Sequence, residues 1–339
     1  MHLSGTLLVG EDFDPVEGRL HIEDGEIASI ERRSVESDRI VMPAFVNAHT
    51  HLGDSIAKEA GEGLSLDELV APPDGLKHRL LRTADDATLV AAMARSIAFM
   101  ERAGTAATLE FREGGRAGVD LLERALAGQA LQAVVFGRGD PGVVAVSDGY
   151  GASGAADRDF TAERAAAAEA DKPFAIHAGE VEASDIDPAL DLDPDLLVHM
   201  VHATDAHLDR VARESIPVAV CPRSNLATGV GRPPIADLHE HTTVALGTDN
   251  VMLSAPTMFR EMAYAADLSG LPAADILAMA TRNGARIAGL GGGTIAEGNP
   301  ARLVVLDGDS DNLAGVRDVR RAVVRRASVA DVIDVVLPE

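Results

Sequence analysis

The chain has 339 residues, 46% of them hydrophobic and 25% charged, which suits one large core with an appendage and excludes a disordered, collagenous or repeat protein. Lys plus Arg number 30 against 54 Asp plus Glu, a formal net charge of −24. That surface disfavours nucleic acid and anionic membrane, both of which need cationic patches.

Residues 1 to about 45 read as short strands with tight turns. Segments 6–9, 18–22 and 26–30 are rich in β-formers and separated by links such as Asp24-Gly25. The middle of the chain alternates. Buried-strand candidates are 40–42, 105–110, 131–136, 143–147, 173–176, 196–198, 217–220 and 243–246, and helical patterns cover 85–103, 119–127, 161–170, 205–214 and 273–288. Eight strands alternating with helices imply a parallel sheet and fit a (β/α)8 barrel. One link fits poorly. Segments 131–136 and 143–147 are too close for a helical crossover, which needs about a dozen residues. Either a helix is missing there or a strand is misplaced. Residues 54–84 form a long loop holding Gly61, Gly63 and Pro72-Pro73, of the size used for lids and equally for dimer contacts. Segments 302–306 and 319–324 are again β-rich. The expected fold is therefore α/β: a TIM-like barrel over 45–292, with a small β-sandwich domain built from 1–44 and 293–339.

Five side chains close apolar runs. In Asn47-Ala48-His49-Thr50-His51, alternate residues of an extended segment share a face, so His49 and His51 present two imidazoles in one direction. Neutral imidazole is a ligand for zinc or iron. The run 174–176 ends in His177, a candidate third ligand, with Glu180 three residues on, placed to touch a metal-held water without binding the metal. The run 196–198 ends in His199, a candidate polarising or proton-moving group. Asp249 closes 244–248 and can be both ligand and proton acceptor. Singly each signal is weak, since histidines also satisfy cores and Gly-x-Asp also makes turns. Jointly they are specific, because the C-terminal ends of parallel barrel strands share one face and the site lies there.

The order of these residues resembles the amidohydrolase superfamily. Pro43-Ala44-Phe45-Val46-Asn47-Ala48-His49-Thr50-His51 is similar to the family's opening P-G-F-V-N-x-H-x-H. Cys221-Pro222-Arg223-Ser224-Asn225-Leu226 with Leu246-Gly247-Thr248-Asp249 is similar to its P-x-S-N-L and L-G-T-D, and residues 298–306 to its return into the β-domain, with Arg302 where Asp is usual. His177-Ala178-Gly179-Glu180 points to the cytosine, guanine and adenosine-type deaminases and their chlorohydrolase relatives. The resemblance implies one divalent metal, zinc before iron, on His49, His51, His177 and Asp249. Members with two metals bridge them through a lysine at the fourth strand end, and none of Lys58, Lys77 and Lys172 is expected there. It also implies a metal-dependent aminohydrolase that deaminates a purine, pyrimidine, pterin or related nucleoside. In that reading Asp249 takes a proton from water, Glu180 donates to a ring nitrogen, and His199 steadies the tetrahedral centre. A C–N, lactone or C–Cl hydrolase on the same scaffold is the alternative, then a non-catalytic metal-binding relative.

Glu110, Arg112, Asp148 and Asn225, with Arg138, follow strand ends and are candidate substrate contacts; Phe111, Phe136 and Tyr150 are the few rings available for stacking. No apolar run is long enough for a membrane helix and no secretory signal is legible, so the expectation is a cytoplasmic protein with a small-molecule substrate. Its oligomeric state stays open, a homo-oligomer included. One cysteine, Cys221, excludes a disulfide framework. Only three lysines among so many acids resemble proteins of salt-loving microbes.

Overall fold

The computed structural model describes residues 1–338. The chain opens with β1 (His2–Val9), β2 (Asp14–Glu23), β3 (Glu26–Arg32) and β4 (Arg39–Pro43). Nine strands follow: β5 (Phe45–His51), β6 (Thr105–Arg112), β7 (Gln132–Gly137), β8 (Gly149–Ala152), β9 (Phe174–Ala178), β10 (Leu196–His199), β11 (Val218–Val220), β12 (Val244–Leu246) and β13 (Asp249–Asn250). It ends with β14 (Leu303–Asp307) and β15 (Val332–Val336).

Strands β5 to β13 form one curled parallel sheet, TIM-like, in the order β12-β11-β10-β9-β8-β7-β6-β5-β13. The two ends of that order are consecutive in the chain. Strand β12 pairs with β11; after two residues β13 pairs with β5, so the eighth barrel strand is a broken one that bridges both sheet ends. At the break, a Cβ on Gly247 would stand 2.7 Å from the His49 Cβ, so only glycine lets this segment pass. The second sheet, β15-β14-β4-β1-β2-β3, is a single mixed sheet drawn from both chain ends.

The interior of the curled sheet is filled by inward side chains, among them Val46, Leu109, Phe111, Phe136, Val198 and Ala245. Outward side chains pack under the helices, as period-2 alternation requires of a sheet covered on its outer face. Among the described residues, no helix is long and apolar enough to cross a membrane.

Three local expectations are corrected. Residues 40–42 lie in β4 of the mixed sheet, and the first barrel strand is β5; Pro43 cannot donate to a ladder, and the chain changes sheets around Ala44. Residues 143–147 are not a strand. Asp140 caps a 3₁₀ helix, Pro141–Val146, whose Pro at the first turn suits helix entry, and the real strand is the Gly-rich β8. The crossover therefore runs from 138 to 148, which removes the difficulty of length. Residues 319–324 belong to a helix, Val319–Arg325, started by Asp318 accepting from the Arg321 N–H at 3.0 Å.

The connection after β5 has structure of its own. It contains a 3₁₀ helix (Leu52–Ala57), α1 (Leu66–Val70) and α2 (Leu76–Thr83), before the long helix α3 (Asp86–Arg102). Ser65 and Glu68 form a capping box at the start of α1.

Candidate functional site

At the C-terminal rim of the curled sheet, the ends of β5, β9, β10 and β13 bring five predicted side chains together. The His49 and His51 rings are 4.8 Å apart between centroids, and His177 is 4.9 Å from His49 and 5.6 Å from His51. Asp249 Oδ1 is 3.3 Å from His49 Nε2 and 3.6 Å from His51 Nε2. A β-bulge in the β5–β6 ladder between Asn47 and Thr50 shifts the register where the two histidines lie. Pairing of Asp249 with Thr50 sets the last ligand candidate beside the first two.

The hydrogen bonds decide which nitrogens are free. His177 Nδ1 donates to the Ala152 carbonyl at 2.7 Å. His51 Nδ1 faces the Phe111 carbonyl at 3.1 Å and Glu113 Oε1 at 2.8 Å. Acceptors at Nδ1 put the proton there and leave Nε2 with its lone pair. Among the described residues, both nitrogens of His49 are buried without a hydrogen-bond partner. Burial pushes His49 down to about 4 and His51 to about 3, and it holds His177 well below the ordinary range, so all three rings are neutral at pH 7. Burial acts to raise Asp249, yet the close approach of His49 at 3.3 Å and the neighbouring imidazoles hold it well below the usual carboxylate range. Its carboxylate also accepts from Ser224 Oγ at 2.5 Å and Asn250 Nδ2 at 2.8 Å. An ionised carboxylate among neutral imidazoles is a donor set that could hold a divalent metal.

Glu180 and His199 flank this cluster. Glu180 Oε2 is 3.5 Å from His199 Nε2. Burial raises the Glu180 carboxyl, opposed by His199 and reinforced by Asp249. His199 is oriented by a 3.1 Å hydrogen bond from Asn225 Nδ2 to its Nδ1. His199, Met200 and Asp249 all have positive φ, at 80°, 54° and 57°. Such backbone is costly for residues with a Cβ, and here it coincides with the polar cluster.

These groups open into a cavity of about 350 Å³. One wall is Leu66, Val70, Ala71 and Pro72 from the 54–84 connection; Arg138, Asp157 and Asp185 add charge.

The substrate candidates are placed differently. Glu110 is buried behind β5, accepting from the Leu52 N–H and from Thr50 Oγ1. Arg112 is buried and donates to the Gly118 carbonyl at 2.9 Å. Asp148 precedes β8 and accepts from the Val135 N–H, so it sits at the entry of that strand, away from the rim. None of these three lines the cavity, and Asn225 reaches it only through His199. Arg138 does line it. Phe111 and Phe136 stack on each other, and Tyr150 on Phe174. Arg223 of the Pro222-Arg223-Ser224-Asn225 motif is a structural anchor, 2.6 Å from the buried Glu261. Lys77, which the sequence did not single out, enters the site from α2, with its Nζ 2.6 Å from Glu113 Oε1. Lys172 donates to the Val144 and Ser147 carbonyls, and no lysine stands at the end of β8.

Residues 40–337 match the sequence model of the amidohydrolase family. The chain belongs to the amidohydrolase family. Among its relatives is a putative aminohydrolase of Methanothermobacter thermautotrophicus, 34% identical with 90% of each chain covered. A 5-methylthioadenosine/S-adenosylhomocysteine deaminase of Haloarcula marismortui is 29% identical, over 84% of this chain and 76% of that one. In three dimensions this amidohydrolase superposes on a zinc-bound adenosine deaminase of Xanthomonas campestris with a TM-score of 0.82, at 21% identity, over 98% of this chain and 90% of the other. At that identity the likeness is one of fold.

Proposed function

We propose that this amidohydrolase is a mononuclear metal-dependent aminohydrolase that removes an exocyclic amino group from a purine, pyrimidine, pterin or related nucleoside. One observation carries the reading. Three neutral imidazoles and an ionised carboxylate converge at the mouth of a cavity that also holds a carboxyl with a raised pKa. Deaminase names among relatives that match most of this chain support the substrate class.

His49, His51, His177 and Asp249 are the proposed ligands of one divalent cation, zinc before iron. The unpartnered nitrogens of His49 and the free Nε2 atoms of His51 and His177 are the observation that fits a metal here. When bound, such a cation supplies the Lewis acidity that makes water nucleophilic near neutral pH. The absence of a lysine at the end of β8 supports a single ion.

The chain's own residues manage the protons. Asp249, ionised, accepts the proton that the attacking water loses. Glu180, whose proton affinity burial raises, enters protonated and donates to a ring nitrogen beside the carbon under attack. His199 Nε2 faces the same space and steadies the negative charge that develops there. The water oxygen stays on the ring carbon; Glu180, now ionised, relays the remaining hydroxyl proton to the amino nitrogen, the carbon–nitrogen bond breaks and ammonia leaves, after which the proton held by Asp249 passes to solvent and Glu180 takes one back from solvent.

Zinc-loaded protein assayed for ammonia against a panel of aminated nucleobases, nucleosides and pterins tests this. The expected result is stoichiometric ammonia from at least one of them. Hydrolysis of ring amides, lactones or aryl chlorides without ammonia release would replace deamination by the alternative chemistry.

A further inference from the structure

Lys77 is one of three lysines in the chain, and its side chain is only 3% exposed. Its Nζ is 2.6 Å from Glu113 Oε1, 3.1 Å from Asn250 Oδ1 and 3.8 Å from Asp54 Oδ2. Each of the first two partners touches a proposed metal ligand. Glu113 Oε1 is 2.8 Å from His51 Nδ1, and Asn250 Nδ2 donates to Asp249 Oδ1 at 2.8 Å. The ammonium therefore stands one residue behind two ligands that come from opposite ends of the barrel sequence.

Lys77 also belongs to the connection that walls the cavity. The apolar anchor of that connection is small, with Ala57, Leu69 and Met252 as its only fully buried members among the described residues. An ammonium removed from water is costly unless paired, and here its close partners, Glu113 and Asn250, belong to the polar shell of the site, while Asp54 of the connection itself stands farther off at 3.8 Å.

We infer that Lys77 is a positioning residue that couples docking of the 54–84 connection to the geometry of His51 and Asp249. The inference rests on the proposed metal centre. The same ammonium that pins α2 over the cavity holds Glu113 against His51 and Asn250 against Asp249. Coupling of this kind is reciprocal: a metal ion on the ligands orders the connection, and the docked connection tightens the metal. Partners behind metal ligands are worth about 10–100-fold in affinity.

The test compares wild type with Lys77→Met, using zinc alone as the probe. Zinc affinity is read by competition with a chromogenic chelator, and order in the connection by hydrogen exchange of residues 64–84 with and without zinc. Wild type is expected to show zinc-dependent protection there, and Lys77→Met to bind zinc about 10–100-fold more weakly and lose that protection. A merely structural lysine would lower thermal stability while leaving affinity and protection of the folded protein unchanged. The Lys77→Met/Glu113→Gln double variant removes the carboxylate together with its ammonium, and exchange in its connection should stay indifferent to zinc. Affinity within twofold of wild type, or protection that persists in either variant, overturns the inference while leaving the proposed function intact. A wild type that binds no zinc overturns both.

Discussion

Glu180 Oε2 and His199 Nε2 lie 3.5 Å apart at the cavity beside the His49–His51–Asp249 cluster, one just past the end of β9 and the other ending β10. The pair joins a carboxyl whose pKa burial raises to an imidazole oriented by Asn225. Glu180→Gln keeps the shape and removes the transferable proton. The expected outcome is unchanged zinc content with turnover lower by about 10²–10⁴-fold, read as ammonia release beside metal analysis. Full activity in this variant rejects the proton-shuttle role.

Metal stoichiometry is expected at one ion per chain. Chelation should abolish turnover, and one equivalent of zinc should restore it. His177→Ala should lower zinc affinity sharply, because it deletes a proposed ligand whose other nitrogen is already fixed by the Ala152 carbonyl. Two tightly bound ions per chain, by elemental analysis, would contradict the single-ion reading.

Glu110 carries a pH prediction that is independent of turnover. Burial raises its carboxyl from 4.5 to about 7, against the opposing pull of Arg112 and the Leu52 and Thr50 hydrogen bonds. The folded state thus binds this proton more tightly than the unfolded chain. Its contribution to stability is fully present below pH 4.5 and is lost as pH rises through about 7. Glu110→Gln removes that loss. Urea unfolding should show the variant gaining on wild type between those two pH values, by on the order of 3 kcal/mol. A difference that stays flat with pH would show that Glu110 is ionised throughout.

The charge excess predicts salt dependence. With a net charge of −24, self-repulsion opposes compaction, and raising salt from 0.1 to 1 M shortens the screening length from about 10 Å to about 3 Å. The melting temperature is expected to climb with KCl over that range. A flat or falling curve removes the halophilic reading.

Much of the candidate site's geometry was legible because buried parallel strands are apolar runs, and a polar residue closing such a run stands on the rim where the candidate cluster lies. His49, His51, His177, His199 and Asp249 all follow that rule. Strand β8 escaped it. Gly149-Tyr150-Gly151-Ala152 carries almost no β signal, whereas the valines of 143–146 mimic a strand while Asp140 and Pro141 turn them into a 3₁₀ helix. That slip also placed Asp148 at a strand exit when it stands at an entry. Glu110 and Arg112 were misleading for another reason: both lie near the end of β6, but local bonds to Leu52 and Gly118 turn them away from the cavity. Lys77 left no trace in the sequence, since the residue of a long connection that folds back onto the rim is chosen by tertiary packing.

The broken eighth strand has a consequence for how the protein is made. Thr248 bonds to Asn47 across 201 positions, and Asp249 pairs with Thr50. On the ribosome, the first two histidines emerge long before the segment that brings Asp249 beside them. A nascent chain halted before residue 249 leaves β5 with an unpaired edge and lacks Asp249, so the candidate cluster assembles only at the end of translation or after it.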